Sequence, residues 1–365
     1  MSENPTRRRK ANHVRIAVNP GSKVESSDTL FGQVHLIHDP LPDLDLDDVD
    51  LSTSFVGRQV SMPLIISCMT GGFEGALEIN RELALAAQSE RIPIGLGSVR
   101  AGLEDQGLRP TFSIVRETAT SVPVISNIGA QQLLDGGLDT ARKAVGMVRG
   151  DALAIHFNKL QEAVMPEGET KMHGVKSVVR QVVKALGVPC IAKETGAGIS
   201  VEAAKSLKGM GFKIVDVAGA GGTSFASVEA KRALEFGDDE GGSVGQLFSD
   251  WGIPTAASVM EVASVRGLKV IASGGVRSGL DAAKAIALGA DYVAVAKPIL
   301  VAVVRGGSAA ARRWVRRFAK EMRVAMFLAG ADDLNALRST PLVVTGDLRG
   351  WAESRGLDLK RYSRR

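Results

Sequence analysis

The 365-residue chain has only two cysteines, 4% aromatic residues and no apolar run of the length a membrane span needs. Cys68 and Cys190 each sit in an apolar, strand-like stretch, so both are expected as small buried hydrophobes, not as a disulfide, a metal pair or a nucleophile. The polar, arginine-rich N-terminus carries no apolar segment of the kind a secretory signal requires, and a cytoplasmic protein is the expectation. Scarce aromatics leave few platforms on which bases could stack. The basic residues gather at the ends, Arg7 to Lys10 and Lys360 to Arg365, so the formal net charge of +5 points to a small anionic substrate and not to nucleic acid.

What the chain does have is rhythm. From Pro63 onward, short β-branched apolar runs alternate with glycine-rich or polar turns and helix-period segments. Strands are expected to begin at Leu64, Ile94, Val124, Ala152, Cys190, Ile214, Val270 and Tyr292. Eight such units predict an α/β fold, a single (β/α)8 TIM barrel with an N-terminal extension and a long loop after strand 6. The expected division is residues 1–60 as an N-terminal arm and flanking segment, 61–330 as the barrel, and 331–365 as a C-terminal extension packed on or near it. Short strands before residue 60 could plug or flank the barrel, and the long segment from Phe225 to Ile253 reads as a lid or an oligomer contact.

The densest signal is Ser273 to Lys284, where the seventh strand runs through Gly274-Gly275 and Arg277 into a helix. Backbone N–H groups and the positive end of a helix dipole meet there, which is how a fold holds a phosphate, and Arg277 adds a forked donor. The eighth strand ends nearby at Lys297, and the turns after the last two strands are the usual phosphate site of such a barrel. Taken alone, the glycine pair need only be a tight turn.

Other strand ends carry polar residues. A lysine at a barrel mouth needs a partner, so Lys193 is a candidate to stabilise negative charge on a bound ring; an ion pair with Glu194 or Asp216 is the plainer alternative. Beside one phosphate site and the turns Thr70-Gly71 and Gly222-Thr223, it suggests a flavin mononucleotide across the mouth. Strand 4 supplies His156, Asn158, Gln161 and Glu162; Glu162 suits Mg2+, while zinc is disfavoured because no cysteine or second histidine clusters there. The cationic run Arg7 to Lys10 reads, on charge alone, as a solvated arm.

Taken in order, Arg9-Lys10-Ala11-Asn12-His13, Met69-Thr70-Gly71-Gly72, Gly95 to Arg100, Ser126 to Ala130, His156 to Glu162, Lys193 to Gly198, Ser273 to Lys284 and Trp351 to Gly356 closely resemble type 2 isopentenyl-diphosphate isomerase. The resemblance implies a homo-oligomer, tetramer or octamer, that interconverts isopentenyl and dimethylallyl diphosphate using reduced FMN, Mg2+ and NADPH, without net redox change. It implies substrate contacts from Arg9, Lys10, His13, Ser98, Val99, Arg100 and Gln161, and Mg2+ on Glu162. FMN would rest on Met69, Thr70, Gly71, Ser98, Asn127, Lys193, Thr223, Gly275, Val276, Arg277, Ala296 and Lys297. Gln161, Lys193, His156 and Asn158 are the expected catalytic groups.

Two positions depart from the family pattern: Val99 replaces a glutamine on a turn expected to face substrate, and Lys159 replaces a proline. The basic arm is expected to order over the mouth as substrate binds. An FMN-dependent 2-hydroxy-acid oxidase would share the barrel, but its family needs a histidine followed by glycines and arginine, which the glycine-rich turns here lack. A catalytically silent flavin or diphosphate binder is the remaining alternative.

Overall fold

Eight parallel strands close on themselves: β1 (Leu64–Ile66), β2 (Ile94–Gly95), β3 (Val124–Gly129), β4 (Ala152–Phe157), β5 (Cys190–Glu194), β6 (Ile214–Asp216), β7 (Lys269–Ala272) and β8 (Tyr292–Val295). Each pairs with the next, and β8 returns to β1 with Ala294 opposite Ile65. The computed structural model describes residues 5–19, 21–22, 24–26 and 28–364. Arg365, the end of the basic tail, lies outside them.

Alternation along each strand sets what faces where. Ile65, Ile125, Ala154, Ile191, Ile271 and Ala294 form a buried cluster in the lumen, whereas Leu64, Ile66, Leu153, Ile155, Val270 and Val293 belong to the larger core beneath the surrounding helices. Two residues further on from lumen positions 125, 154, 191, 214 and 271, the inward positions turn polar: Asn127, His156, Lys193, Asp216 and Ser273. The apolar lumen is thus the floor of a polar mouth.

The other end is closed by an antiparallel hairpin, Thr53–Phe55 with Arg58–Val60. Its Phe55 is fully buried, with its ring 5.0 Å from that of Tyr292, whose hydroxyl donates to the Ser54 carbonyl at 2.7 Å. The plug expected from the flanking segment is this hairpin.

Two regions depart from expectation. The basic arm is a helix, Pro5–Val18, already docked: Ile16 is buried with Val24 and Val228, Arg15 pairs with Glu235, and the Arg8 guanidinium stacks 4.5 Å over Phe236. The surface it docks on offers Glu229 and Glu235 to its His13 and Arg15. That surface belongs to the long segment after β6, which forms two helices, Phe225–Glu235 and Asp239–Leu247, packed on each other. The turn between them passes through Gly237 at φ +78°, and Asp238 caps the second helix by accepting from the Gly241 N–H at 2.8 Å.

After β8 a long helix, Lys297–Phe327, is interrupted at Gly306 and Gly307. The strand Leu342–Val344 pairs with Val34–Leu36, and the helix Gly346–Ser354 follows. Trp351 and Arg355 both reach Glu261, which is fully buried on the helix Thr255–Ala263: the indole Nε1 donates to Oε1 at 2.9 Å and the Arg355 Nε at 3.0 Å. The other oxygen accepts from the Val201 N–H at 2.7 Å. The C-terminal motif therefore clamps a barrel helix. Glu261→Ala strands those donors and should lower the unfolding free energy by about 3 kcal/mol in urea titration; a loss under about 1 kcal/mol would show the clamp to be superficial.

Candidate active site

At the C-terminal ends of the strands lies a cavity of about 530 Å3. Every residue expected in the site lines it except Val99. Val99 is fully buried in the hydrophobic core, with its N–H on the Asn127 carbonyl at 2.8 Å. The turn faces the cavity at Ser98 and Arg100, but the intervening Val99 side chain points into the core, so the valine takes no place in the cavity wall.

At one end, the turns after β6 and β7 touch backbone to backbone. Gly274 and Gly275 have φ of +96° and +80°; a Cβ on Gly274 would lie 2.1 Å from the Gly219 oxygen, and one on Gly222 would lie 2.6 Å from the Gly275 nitrogen. Arg277 ties the turns together, its Nη1 donating to the Gly275 carbonyl and its Nη2 to the Gly221 carbonyl, each at 3.1 Å.

The helix that follows, Gly279–Leu288, does not offer the bare N–H groups expected of it. Asp281 accepts from the N–H groups of Arg277 and Ser278 at 3.0 and 3.1 Å, and Glu321 accepts from Gly279 at 2.8 Å. Among the described residues nothing accepts from the N–H groups of Gly275 and Val276. Those two, Arg277, and the first turn of the helix starting at Lys297 remain as the anion donors. A cradle with no room for a Cβ at Gly222, Gly274 or Gly275, and with the Gly275 and Val276 N–H groups left without an acceptor, fits a flavin phosphate.

Beneath the mouth the Lys193 Nζ donates to Asp216 at 2.8 Å, and Ser273 donates to the other Asp216 oxygen. Burial alone would lower the Lys193 pKa, but the Asp216 carboxylate outweighs it and holds the ammonium above its ordinary range. The plainer expectation for Lys193, an ion pair, is what the structure contains, and the paired ammonium still lines the cavity. His156 Nδ1 lies 2.9 Å from Asn127 Oδ1, whose Nδ2 donates to the Leu96 carbonyl at 3.1 Å. Burial, then the charges of Lys193, Lys10 and Arg9, bring His156 down to about 3, so it is neutral, and with Nδ1 donating its Nε2 is an acceptor. Burial pushes the Cys68 thiol up to about 12, which removes it as a nucleophile.

The N-terminal helix supplies the facing wall. Lys10 Nζ donates to the Ser98 carbonyl at 2.6 Å, and burial, followed by the charge of Arg9, lowers its pKa to about 7. His13 Nε2 lies 2.8 Å from Glu229 Oε1, which also accepts from the Gln161 amide at 2.8 Å, while Arg232 bonds the other oxygen. Burial would raise the Glu229 pKa; His13, Arg232 and Gln161 outweigh it and bring the carboxyl to about 2.

Glu162 accepts from Asn158 Nδ2 and from the Glu169 N–H, both at 2.7 Å, and the buried Asn158 Oδ1 has no partner. One carboxylate beside an orphaned amide oxygen is a hard-oxygen donor set that fits Mg2+ with its waters. Among the described residues no cluster of three or more His, Cys, Asp or Glu is placed to hold a metal by itself. Arg100 is held between Glu104 and Glu169 at 2.6 and 2.7 Å.

Sequence reasoning named Asp216 as one of two alternative partners of Lys193, and the structure selects it; it missed Glu229, and Trp314, which lines the cavity from the helix after Gly307. Glu229 sits in the segment read as a loop; a helical reading of Phe225 to Glu235 would have placed it one turn in, facing the mouth.

Barrel and cradle together define an FMN-binding protein of the FMN-dependent dehydrogenase family, whose model matches residues 162–344. The same fold is seen in mandelate oxidase with benzoyl-formic acid (TM-score 0.61, 19% identity, 91% of this chain and 93% of that one) and with (S)-2-phenylpropionate (0.62, 20%, 92% and 98%). Much nearer in sequence are proteins named isopentenyl-diphosphate delta-isomerase from Methanothrix thermoacetophila, 46% identical over 98% of this chain and 99% of that one, and from Methanopyrus kandleri, 45% identical over 97% and 96%. The relative of that name from Methanothermobacter thermautotrophicus is 44% identical over 92% and 93%. The chain belongs to the isopentenyl-diphosphate delta-isomerases, in their FMN-dependent type 2 form.

The Glu229 network gives the site a signature in acid. Because the folded pKa is depressed, its stabilisation is complete above the unfolded value of 4.5 and is lost as pH falls toward about 2. The parent should therefore lose about 3 kcal/mol more stability than Glu229→Gln between pH 6 and pH 2 in urea titrations; parallel pH profiles would mean that Glu229 is not held ionised.

Proposed function

We propose that this cavity interconverts isopentenyl diphosphate and dimethylallyl diphosphate by moving a proton on to one alkene carbon and off another, with Mg2+ on the diphosphate and NADPH as the outside reductant. The observation that carries the reading, beside family membership, is the placement of Gln161. Its amide nitrogen is tied to ionised Glu229, which fixes the amide oxygen toward the cavity beside Asn158 Nδ2 at 3.4 Å. A fixed, uncharged amide facing an apolar substrate tail can orient or relay a proton without burying a charge against the alkene.

FMN, when bound and reduced, supplies an electron-rich ring that exchanges protons. The residues proposed to hold it are Met69, Thr70, Gly71, Ser98, Asn127, Lys193, Thr223, Gly275, Val276, Arg277, Ala296 and Lys297. Lys193, kept protonated by Asp216, would stabilise negative charge on that ring, and neutral His156 would accept a hydrogen bond at its edge. Glu162 and the free Asn158 oxygen would take Mg2+. Arg9, Lys10, His13 and Arg100 would neutralise the diphosphate charge that remains.

A 2-hydroxy-acid oxidase shares the fold with mandelate oxidase, but identity at that level speaks for the fold alone, and the near relatives are isomerases. Anaerobic incubation of isopentenyl diphosphate with enzyme, reduced FMN and Mg2+, followed by NMR of the two isomers, decides between turnover and a silent binder. Glu162→Gln should raise the Mg2+ concentration needed for half-maximal rate, whereas Gln161→Ala should depress kcat at unchanged Mg2+ dependence. The same Mg2+ shift in both variants would contradict this division.

Lys10 gives a pH test. With its pKa near 7, Lys10 in the free enzyme loses its charge as pH rises, and KM for isopentenyl diphosphate should climb above pH 7 by up to about tenfold per unit. Lys10→Arg, which stays charged, should flatten that limb; an equal climb in the variant would assign it to another group.

A further inference from the structure

Thr255 begins the helix Thr255–Ala263 and is fully buried, outside the residues that line the cavity. Its hydroxyl faces three backbone carbonyls: Ala220 at 3.1 Å, Ser273 at 3.4 Å and, closest, Gly274. A hydroxyl has one proton, and the shortest contact takes it. The peptide joining Gly274 to Gly275 is trans, so its N–H points away from its C=O. Drawing the carbonyl toward Thr255 turns the Gly275 N–H the opposite way, toward Gly222 and the cavity, consistent with that nitrogen lying 2.6 Å from where a Gly222 Cβ would be.

Something must select this orientation. Two consecutive glycines at positive φ impose little preference between a peptide and its flipped form. A flipped peptide would aim a carbonyl oxygen at the anion in place of a donor. Thr255 is itself held: its N–H donates to the Ala220 carbonyl at 3.0 Å, Ala256 donates to the Thr29 carbonyl at 3.0 Å, and a Cβ on Gly219 would lie 2.5 Å from the Thr255 Cα. The far end of the helix is fixed through Glu261 by the C-terminal clamp.

We propose that Thr255 is the positioning residue of the flavin phosphate site: its hydroxyl holds the Gly274–Gly275 peptide so that the Gly275 N–H faces the phosphate. The proposal rests on the reading that this glycine turn takes the phosphate, and the experiment separates the two. FMN and riboflavin, which share the ring and differ by the phosphate, are titrated by flavin fluorescence into the parent, Thr255→Val, Thr255→Ser and Arg277→Ala.

Valine keeps the shape and loses the proton, so Thr255→Val should weaken FMN about tenfold or more and leave riboflavin within about twofold, while Thr255→Ser stays parental. An equal loss of both flavins makes Thr255 merely structural and overturns the proposal. Parental FMN affinity in Thr255→Val, with Arg277→Ala selectively weakened for FMN, overturns the proposal and leaves the phosphate reading standing. If neither variant changes the preference for FMN over riboflavin, the phosphate reading falls and the proposal with it. Should the valine variant not fold, Thr255→Ala read against Thr255→Ser gives the same comparison.

Discussion

An ammonium placed inside a protein must find a counter-charge or give up its proton, and the barrel is arranged around that constraint at Lys193. Asp216 on the neighbouring strand meets it at 2.8 Å, and Ser273, the first residue past the end of β7, meets Asp216. Three adjacent strands are thereby joined by side chains at the level where the lumen ends and the mouth begins. The desolvation cost of two buried charges is offset only when both are paired and hydrogen-bonded. This one interaction thus ties the polar residues of the mouth together just above the apolar floor and keeps a positive charge where a flavin ring would lie.

A second electrostatic layer stands above it. Glu229, fully buried, draws together His13 from the N-terminal helix, Gln161 from the end of β4 and Arg232 from its own helix. The wall over the mouth is therefore continuous with the amide proposed to act on the alkene. Lys10 and Arg9 sit on the same helix, so the segment that brings two cations to the cavity is anchored by the carboxylate that also holds Gln161.

The barrel strands were legible because their signal is local: alternation over a few residues, glycine turns, and polar residues two positions beyond the lumen. The mouth residues from Met69 to Lys297 followed from strand ends together with the motifs that carry the family resemblance. What stayed hidden depends on distance in the chain. Glu229 lies 216 residues from His13 and 68 from Gln161, and no local pattern marks either partnership. The N-terminal helix was obscured by its charge, which favours water until Glu229 and Glu235, 216 and 220 residues from His13 and Arg15, are placed beside it. Val99 was misplaced because a one-residue change in direction on a tight turn separates cavity from core, and Asp281 silenced a helix start that its glycines had advertised.

The N-terminal helix has a consequence for traffic through the cavity. Arg9, Lys10, His13 and Val14 form its upper wall, while Met69, Asn127, Lys193 and Ala294 form the opposite one, so anything resting on the lower wall lies behind the helix. That upper wall is held by Ile16 against Val24 and Val228, by His13 on Glu229 and by Arg15 on Glu235. One whole side of the cavity therefore rides on the fourteen residues of a single helix, and whatever loosens its grip on Glu229 and Glu235 would open that side as a unit.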